Sequence, residues 1–169
     1  MRVLDLTAGA GGKSLALAAA MQNRGEITAC DIRGSALAEL ERRAARAGAA
    51  IIRTCLLGTL PPGPFDLVLV DAPCSGSGTW RRQPELKWRL TPERLAQLMA
   101  TQDELLLEAA RAGARLVYAT CSILPCENQD RIEAFLATSS GYARDRPDFH
   151  ASPAATGSDG FYVASLIRI

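Results

Sequence analysis

The sequence has few of the residues on which metal sites and several hydrolase sites depend. Its 169 residues contain one histidine, His150, in a segment expected to be a loop, and aromatic residues make up only 5%. The five cysteines include no Cys-x-x-Cys pair, so their spacing does not indicate a structural zinc site. No Gly-x-Ser-x-Gly motif accompanies His150, which disfavours a serine hydrolase. We therefore expect no metal.

Long apolar runs and an excess of one charge are missing as well. No stretch approaches ~18 apolar residues and no basic segment precedes an apolar run, so neither a membrane span nor a signal peptide is predicted. The formal net charge of +1 is low for a protein that holds nucleic acid unaided, so RNA or DNA binding would need a local basic patch or help. An odd number of cysteines without a disulfide pattern favours reduced thiols and a cytoplasmic location.

What the sequence does contain is an alternation of strand-like and helix-like segments. With 48% hydrophobic residues it can bury one core, and we expect a single domain over residues 1–169. The predicted strands cover residues 2–6, 26–32, 50–55, 65–70, 116–120 and 160–169, and helices separate most of them. The pattern predicts an α/β fold with a mostly parallel sheet. Because a strand begins almost at residue 1, the chain is expected to be a fragment or a reduced relative of a longer protein.

A glycine-rich segment, Thr7 to Ser14, lies between the first strand and the first helix. Glycines let the backbone approach a ligand, and the first N–H groups of a helix are free to bind an anionic group. The spacing is not a complete Gly-x-Gly-x-x-Gly, so a tight turn without a ligand remains an alternative. Asp31 ends the second strand about 20 residues later, the offset at which an acid typically reaches a ribose hydroxyl.

A carboxylate and two cysteines follow two strands at the points where they end. Asp71-Ala72-Pro73-Cys74-Ser75-Gly76 comes directly after the apolar strand 65–70, and Cys121-Ser122 comes directly after the strand 116–120. The carboxyl ends of parallel strands face the ligand crevice, so both thiols are expected at one edge of the sheet. A cysteine in such a place can also be a small buried hydrophobe, but two of them favour chemistry.

A cluster of cations with two tryptophans covers residues 80–89. Aromatic faces can stack on bases while arginine and lysine bind phosphates, which makes this segment the best candidate for nucleic-acid binding. The alternative is a lid in which the tryptophans pack and the arginines only extend into solvent. The sequence leaves both interpretations open.

These motifs resemble those of the Sun/Fmu-type RNA cytosine-C5 methyltransferases. Residues 5–14 correspond to the pattern Asp-x-Cys-Ala-Ala-Pro-Gly-Gly-Lys-Thr, and residues 71–76 are identical to Asp-Ala-Pro-Cys-Ser-Gly. Residues 120–122 with Glu127-Asn128 match a third motif, and residues 159–162 match the last one. The resemblance implies a class I S-adenosylmethionine-dependent methyltransferase (Rossmann-like) fold, a mostly parallel seven-stranded sheet with helices on both faces and an antiparallel closing strand.

The resemblance also implies a reaction and a set of site residues. The expected activity is methylation of cytosine C5 in RNA, expected to be ribosomal, with S-adenosylmethionine as cofactor and the protein as a monomer. Cys121 would attack C6, Cys74 would assist product release and Asp71 would hold the cytosine edge. The implied cofactor-binding residues are Thr7, Ala8, Gly9, Ala10, Gly11, Gly12, Lys13, Asp31, Ile32 and Asp71. The RNA-binding candidates are Arg81, Arg82, Lys87, Trp88 and Arg89.

Two rival hypotheses remain open, and departures from the family pattern favour the first of them. Thr7, Gly9 and Ala10 replace the Cys, Ala and Pro of the cofactor loop, and residues 54–57 lack the acid that contacts the adenine. The chain is also expected to lack the N-terminal RNA-binding region of the family. A degenerate, non-catalytic RNA-binding or interaction module would fit these departures. A nucleotide-dependent oxidoreductase would share the strand, glycine loop and acid, but it would leave the cysteine pair unexplained.

Overall fold

The structure is a computed structural model that describes residues 1–169, apart from the side chain of Thr156. The strands are β1 (Arg2–Asp5), β2 (Glu26–Asp31), β3 (Ile52–Leu56), β4 (Leu67–Asp71), β5 (Arg115–Thr120), β6 (Tyr142–Arg144), β7 (Phe149–Ala151) and β8 (Phe161–Arg168). The helices are α1 (Gly12–Ala20), α2 (Gly34–Ala47), α3 (Glu85–Arg89), α4 (Pro92–Ala112), α5 (Gln129–Thr138) and α6 (Pro153–Thr156). Two short 3₁₀ turns lie at Ser77–Thr79 and Pro125–Glu127.

All strands belong to one sheet in the order β3-β2-β1-β4-β5-β8-β6, with β7 paired to one end of β8. Strands β1 to β5 run parallel, and β8 lies antiparallel between β5 and β6. The strand order reverses between β1 and β4, and the crevice at such a point is where α/β proteins bind ligands. This is the class I methyltransferase fold that the resemblance implied.

The sheet has one strand more than expected, and the difference lies in the segment before β8. No strand was predicted within residues 141–157, but they contain β6 and β7, which pair with opposite ends of the long strand β8. Each is three residues long, too short to produce a recognisable alternation. His150, expected in a loop, is therefore an exposed residue of β7, and its ring meets that of Tyr162 edge-on with centroids 4.9 Å apart.

Helices cover both faces of the sheet because side chains of neighbouring strand residues point to opposite sides. In β1, Val3 packs with α1 and α2 in one buried cluster, whereas Leu4 packs with α4 and α5 in the other. Helix α4 has Pro92 in its first turn, and the Thr91 hydroxyl accepts the N–H of Arg94. Over the described part of the chain, no helix is long and apolar enough to cross a membrane.

One pair of cysteines corrects the expectation of reduced thiols. Cys30 of β2 and Cys55 of β3 are partners in the strand register, and the structure joins them by a disulfide. Their Cα atoms are 4.9 Å apart, within the range that a disulfide bridges. The three remaining cysteines, Cys74, Cys121 and Cys126, are free thiols.

Candidate active site

The two cysteines that follow β4 and β5 lie in contact. Asp71 and Ala119 are register partners on these parallel strands, so the loops that leave the strands start side by side. The Sγ atoms of Cys74 and Cys121 are 3.4 Å apart and joined by a hydrogen bond. The prediction that both thiols reach the same edge of the sheet is confirmed.

The contact makes the two thiols chemically different. The hydrogen bond from Cys74 is the main cause that lowers the pKa of Cys121 to about 7, although burial and the Asp71 carboxylate oppose it. The same hydrogen bond, together with burial and the negative charge of Glu127, raises the pKa of Cys74. Cys121 is therefore the thiol that ionises near neutral pH, and Cys74 keeps its proton. The sequence alone did not show what would ionise Cys121.

Asp71 sits at the end of β4 with Lys13 against it. The Nζ atom of Lys13 donates to Oδ2 of Asp71 at 2.5 Å, and both side chains are partly exposed. The hydroxyl of Thr7 donates to the backbone carbonyl of Asp71 at 3.0 Å, which fixes the strand end against the glycine loop. Helix α1 thus places a cation at the end of β4.

A cavity of about 350 Å³ opens beside the cysteines. Both thiols, Asp71, Leu86 of α3 and the ring of Phe161 line it. Phe161 is 41% exposed, so one flat aromatic face is available at the cavity. The cavity combines two thiols, a carboxylate and an aromatic side chain, a set that suits a flat polar ring.

A second cavity of about 660 Å³ lies over the carboxyl ends of β1 and β2. Seven of the predicted cofactor residues line it: Thr7, Ala8, Gly9, Ala10, Asp31, Ile32 and Asp71. Asp71 and Pro73 line this cavity and the smaller one as well. A group bound in the larger cavity would therefore reach the cysteine cavity at Asp71.

The larger cavity has the donors and apolar walls that a nucleoside needs. Asp31 accepts the backbone N–H groups of Gly9 and Arg33, both at 2.9 Å. Burial opposes ionisation, but hydrogen bonds from Arg33 and Gly9 prevail and lower the pKa of Asp31. Its ionised oxygens suit ribose hydroxyls, and Ile32, which is 75% exposed, and Leu57 offer apolar contact to a base. The residues present fit S-adenosylmethionine.

Three of the predicted cofactor residues lie outside this cavity. A Cβ on Gly11 would lie 2.5 Å from Leu40 of α2, so this glycine serves the packing of the loop on that helix. Gly12 is exposed at the start of α1, and the ammonium group of Lys13 is on Asp71. Gly9, at φ +54°, is the loop glycine that borders the cavity. A cofactor role for Gly11, Gly12 and Lys13 remains a prediction.

The basic segment 80–89 has features of both interpretations that the sequence left open, a nucleic-acid contact and a packed lid. Trp88 is 82% exposed, and the Nζ atom of Lys87 lies 5.7 Å from the centroid of its ring. Trp80, in contrast, is half-buried, and the Nζ atom of Lys87 lies 5.9 Å from the centroid of its ring. Arg82 forms an ion pair with Asp159, with Nη2 and Oδ2 2.5 Å apart, which pins the segment to the loop before β8. Arg81 and Arg89 are exposed.

Two buried carboxylates near the site were not assigned roles from the sequence. Glu127 is fully buried below the cysteines and accepts hydrogen bonds from Ser75 and Ser122. Asp5 accepts from the hydroxyl of Ser14 at 2.6 Å, and burial raises its pKa to about 6. Both stand in the recognised motifs, but their burial depends on the packing of distant segments. Among the described residues, no group of three or more His, Cys, Asp or Glu side chains could hold a metal.

Comparisons with known proteins agree with this geometry. The family described as 16S rRNA methyltransferase RsmB/F matches residues 1–167. A "Probable ribosomal RNA small subunit methyltransferase B" from Synechocystis sp. is 34% identical over 188 residues, covering 97% of this chain and 42% of the relative. A relative of the same name from Bacillus subtilis is 33% identical over 196 residues, with the same two coverages.

Solved structures give the same result for the fold. The crystal structure of PH0851 has a TM-score of 0.94 at 33% identity, over 99% of this chain and 42% of that chain. The structure of NSun6 from Pyrococcus horikoshii with SFG has a TM-score of 0.88 at 22% identity, over 98% of this chain and 47% of that chain. The chain thus spans less than half the length of these relatives.

Proposed function

Because the chain belongs to the 16S rRNA methyltransferase RsmB/F family, which is S-adenosylmethionine-dependent, we propose that it methylates cytosine C5 in ribosomal RNA. The observation that carries the proposal is the pair of thiols 3.4 Å apart at the end of β4 and β5. The pair lines a small cavity that meets the larger one at Asp71. This arrangement suits a reaction between a base and a methyl donor held in neighbouring cavities.

Cys121 acts as the nucleophile in this proposal. Its sulfur forms a bond to C6 of the cytosine, and the electron pair of the C5–C6 double bond moves into the ring toward N3. C5 becomes electron-rich and can take up a methyl group. When bound, S-adenosylmethionine supplies that group as an electrophilic methyl on a sulfonium. Covalent attack thus divides one difficult substitution into easier steps.

Asp71 and Lys13 hold the edge of the ring. The Asp71 carboxylate accepts a hydrogen bond from the exocyclic amino group, which orients C6 toward Cys121. The Lys13 ammonium donates to Asp71, so a base held by Asp71 would have this cation next to the edge on which negative charge develops. A cation placed in advance there stabilises the transition state more than the substrate.

Cys74 acts when the product leaves. After methylation, a solvent water takes the C5 proton, the C5–H electron pair re-forms the C5–C6 double bond, and the C6–S bond breaks with its electron pair staying on the sulfur of Cys121. The departing sulfur carries negative charge, and the Cys74 S–H, 3.4 Å away, can donate to it. The hydrogen bond that ionises Cys121 before attack therefore stabilises the same thiolate as it leaves.

The exposed part of segment 80–89 is the proposed contact to RNA. Trp88 can stack on an unpaired base next to the target, and Arg81, Lys87 and Arg89 can bind phosphates. Arg82 is engaged by Asp159, so we propose that it holds the segment in place. The net charge of +1 means that these few cations would supply a modest share of RNA affinity.

Methyl transfer to small-subunit ribosomal RNA tests the proposal. The protein is incubated with that RNA and methyl-labelled S-adenosylmethionine, and the nucleosides are separated by mass spectrometry. We expect label in 5-methylcytidine for the wild type and for Cys126→Ala, which removes the free thiol outside the pair, and none for Cys121→Ala. Label in another nucleoside would contradict the proposal. Cofactor binding without any methyl transfer would favour a non-catalytic module.

A further inference from the structure

The 3₁₀ turn after β5 places one carboxylate beneath both cysteine loops. Glu127 is 0% exposed, and its two oxygens accept hydrogen bonds from four groups. Oε1 accepts the backbone N–H of Ser75 at 2.8 Å and the Gln102 amide at 3.2 Å. Oε2 accepts the hydroxyls of Ser75 at 2.5 Å and Ser122 at 2.6 Å. A buried carboxylate with this many donors is firmly held.

The residues that donate to Glu127 adjoin the catalytic thiols in the chain. Ser75 directly follows Cys74, and Ser122 directly follows Cys121. The Gln102 amide also donates to the carbonyl of Pro73, the residue before Cys74, at 2.9 Å. One carboxylate therefore connects the residues next to both thiols.

Further hydrogen bonds join the two loops around the same carboxylate. The hydroxyls of Ser77 and Ser122 lie 2.9 Å apart, and Ser77 also accepts the backbone N–H of Ile123. The Asn128 amide donates to the carbonyl of Ser122 at 2.9 Å. These bonds hold the backbone, but Glu127 is the charged member of the network.

We propose that Glu127 is a positioning residue that holds the two cysteine loops in contact and whose negative charge keeps the shared proton on Cys74. The inference rests on the proposed function only in assigning Cys121 as the nucleophile. The 3.4 Å contact requires both loops to be fixed, because neither cysteine belongs to a strand. A short buried link between the two serines supplies that constraint.

The charges of Glu127 and Lys13 both favour a thiolate on Cys121 over a thiolate on Cys74. Glu127 accepts the backbone N–H of Ser75, the residue after Cys74, and its negative charge raises the pKa of Cys74, whereas the positive charge of Lys13 lowers the pKa of Cys121. Asp71 opposes this arrangement from the Cys121 side. The other titratable groups close to Glu127 are Tyr118, which donates to its backbone carbonyl, and Cys126. A negative charge beside Cys74 disfavours its thiolate, so the anion of the pair resides on Cys121.

Competitive alkylation of the native protein tests the role of the charge. Labelling with iodoacetamide is limited to less than one thiol per chain, and mass spectrometry gives the ratio of Cys121 to Cys74 between pH 5.5 and 9. Glu127→Gln keeps the shape of the side chain and one acceptor oxygen, and it removes the charge. Its NH2 group donates instead of accepting, and the rotatable hydroxyls of Ser75 and Ser122 can accept from it. We expect the ratio to fall by about tenfold, the effect of one pKa unit. The matched control, Glu133→Gln, removes an exposed charge from α5 and should leave the ratio unchanged.

A second variant tests the hydrogen-bonded link between Ser122 and Glu127, and its result does not depend on whether Glu127→Gln folds. Ser122→Ala removes the hydroxyl that joins the Cys121 loop to Glu127 but keeps the charge. We expect the pH midpoint of Cys121 alkylation to rise toward that of an ordinary thiol, about 8.5, because the contact with Cys74 loosens.

Two results would overturn the inference. A folded Glu127→Gln protein with the wild-type labelling ratio would show that the charge does not select the thiol. A Ser122→Ala protein with the wild-type midpoint would show that the link does not hold the contact. Neither measurement needs RNA or cofactor, so a failure of the proposed methyl transfer would leave the alkylation result standing.

Discussion

Two pairs of cysteines lie near the carboxyl edge of the same sheet, and they differ in how the fold brings them together. Cys30 and Cys55 are register partners within β2 and β3 and form a disulfide. Cys74 and Cys121 lie beyond the ends of β4 and β5 and remain thiols joined by a hydrogen bond. The first pair is placed by the strand ladder, whereas the second depends on side chains in two loops.

The difference shows what makes a cysteine pair reactive in this fold. Cys30 is fully buried, and no cavity of the site touches the disulfide. Cys74 and Cys121 both line a cavity and sit between a carboxylate below and a cation above. Strand pairing alone gives proximity. In the proposed reaction, access to the cavity and an asymmetric charge environment make Cys121 the nucleophile and Cys74 the acid.

The largest expected effect comes from removing one thiol of the loop pair. Cys121→Ala should abolish methyl transfer because it removes the thiolate of the pair and leaves Cys74, whose raised pKa keeps it protonated, whereas Cys30→Ala should leave the turnover of folded protein almost unchanged. Initial rates with ribosomal RNA, normalised to folded protein, measure both. Comparable losses in the two variants would remove the distinction between the pairs.

A smaller effect separates the two members of the loop pair. In the Cys74→Ala protein, Cys121 should still attack the base, but the product should be released slowly. Turnover should therefore fall by about 10²-fold, as for loss of a general acid, and a protein–RNA adduct should accumulate. Denaturing gel electrophoresis detects the adduct. If this variant lost activity without any adduct, the assignment of Cys74 to release would be wrong.

The pH dependence of alkylation should differ among the free thiols. Cys121, with a pKa of about 7, should react about tenfold more slowly at pH 6 than on its plateau above pH 8, because only the thiolate attacks. Cys126 should react slowly throughout this range, because burial raises its pKa. Peptide mass spectrometry resolves the two positions. A Cys121 profile that follows Cys126 would contradict a lowered pKa.

The smallest expected effect on activity comes from the strand pair. Reducing the disulfide, which closes a loop with a sequence separation of 25 residues, should lower the free energy of unfolding by about 3 kcal/mol. Methyl transfer at 25 °C should not change, because the disulfide contacts neither cavity. Denaturant titrations with and without reductant, and with Cys55→Ala as the reduced reference, check this. A loss of methyl transfer that parallels reduction of the disulfide would contradict the expected independence of the two cysteine pairs.

Sequence patterns predicted most of the fold and the positions of the reacting groups. The apolar run before Asp71 and the strand before Cys121 were sufficient, because parallel strands bring their carboxyl ends together. Two strands of three residues, β6 and β7, were not predicted, since they follow from pairing with β8 rather than from a local pattern.

The sequence did not predict which side chains contact the site residues. Lys13 lies 58 positions from Asp71, and Ser75 lies 52 positions from Glu127, so their contacts depend on the assembled sheet. The disulfide was missed for the same reason, because it requires the register of β2 against β3. Sequence motifs identify reactive residue types, while packing determines which of them share a proton.

Trapping with RNA that carries 5-fluorocytidine, in the presence of S-adenosylmethionine, tests the central claim most directly. Fluorine at C5 cannot leave as the proton does, so the reaction stops with the base bound to the nucleophile. We predict an adduct that mass spectrometry assigns to Cys121 and that is absent from Cys121→Ala. An adduct assigned to Cys74, or one that persists in Cys121→Ala, would contradict the account.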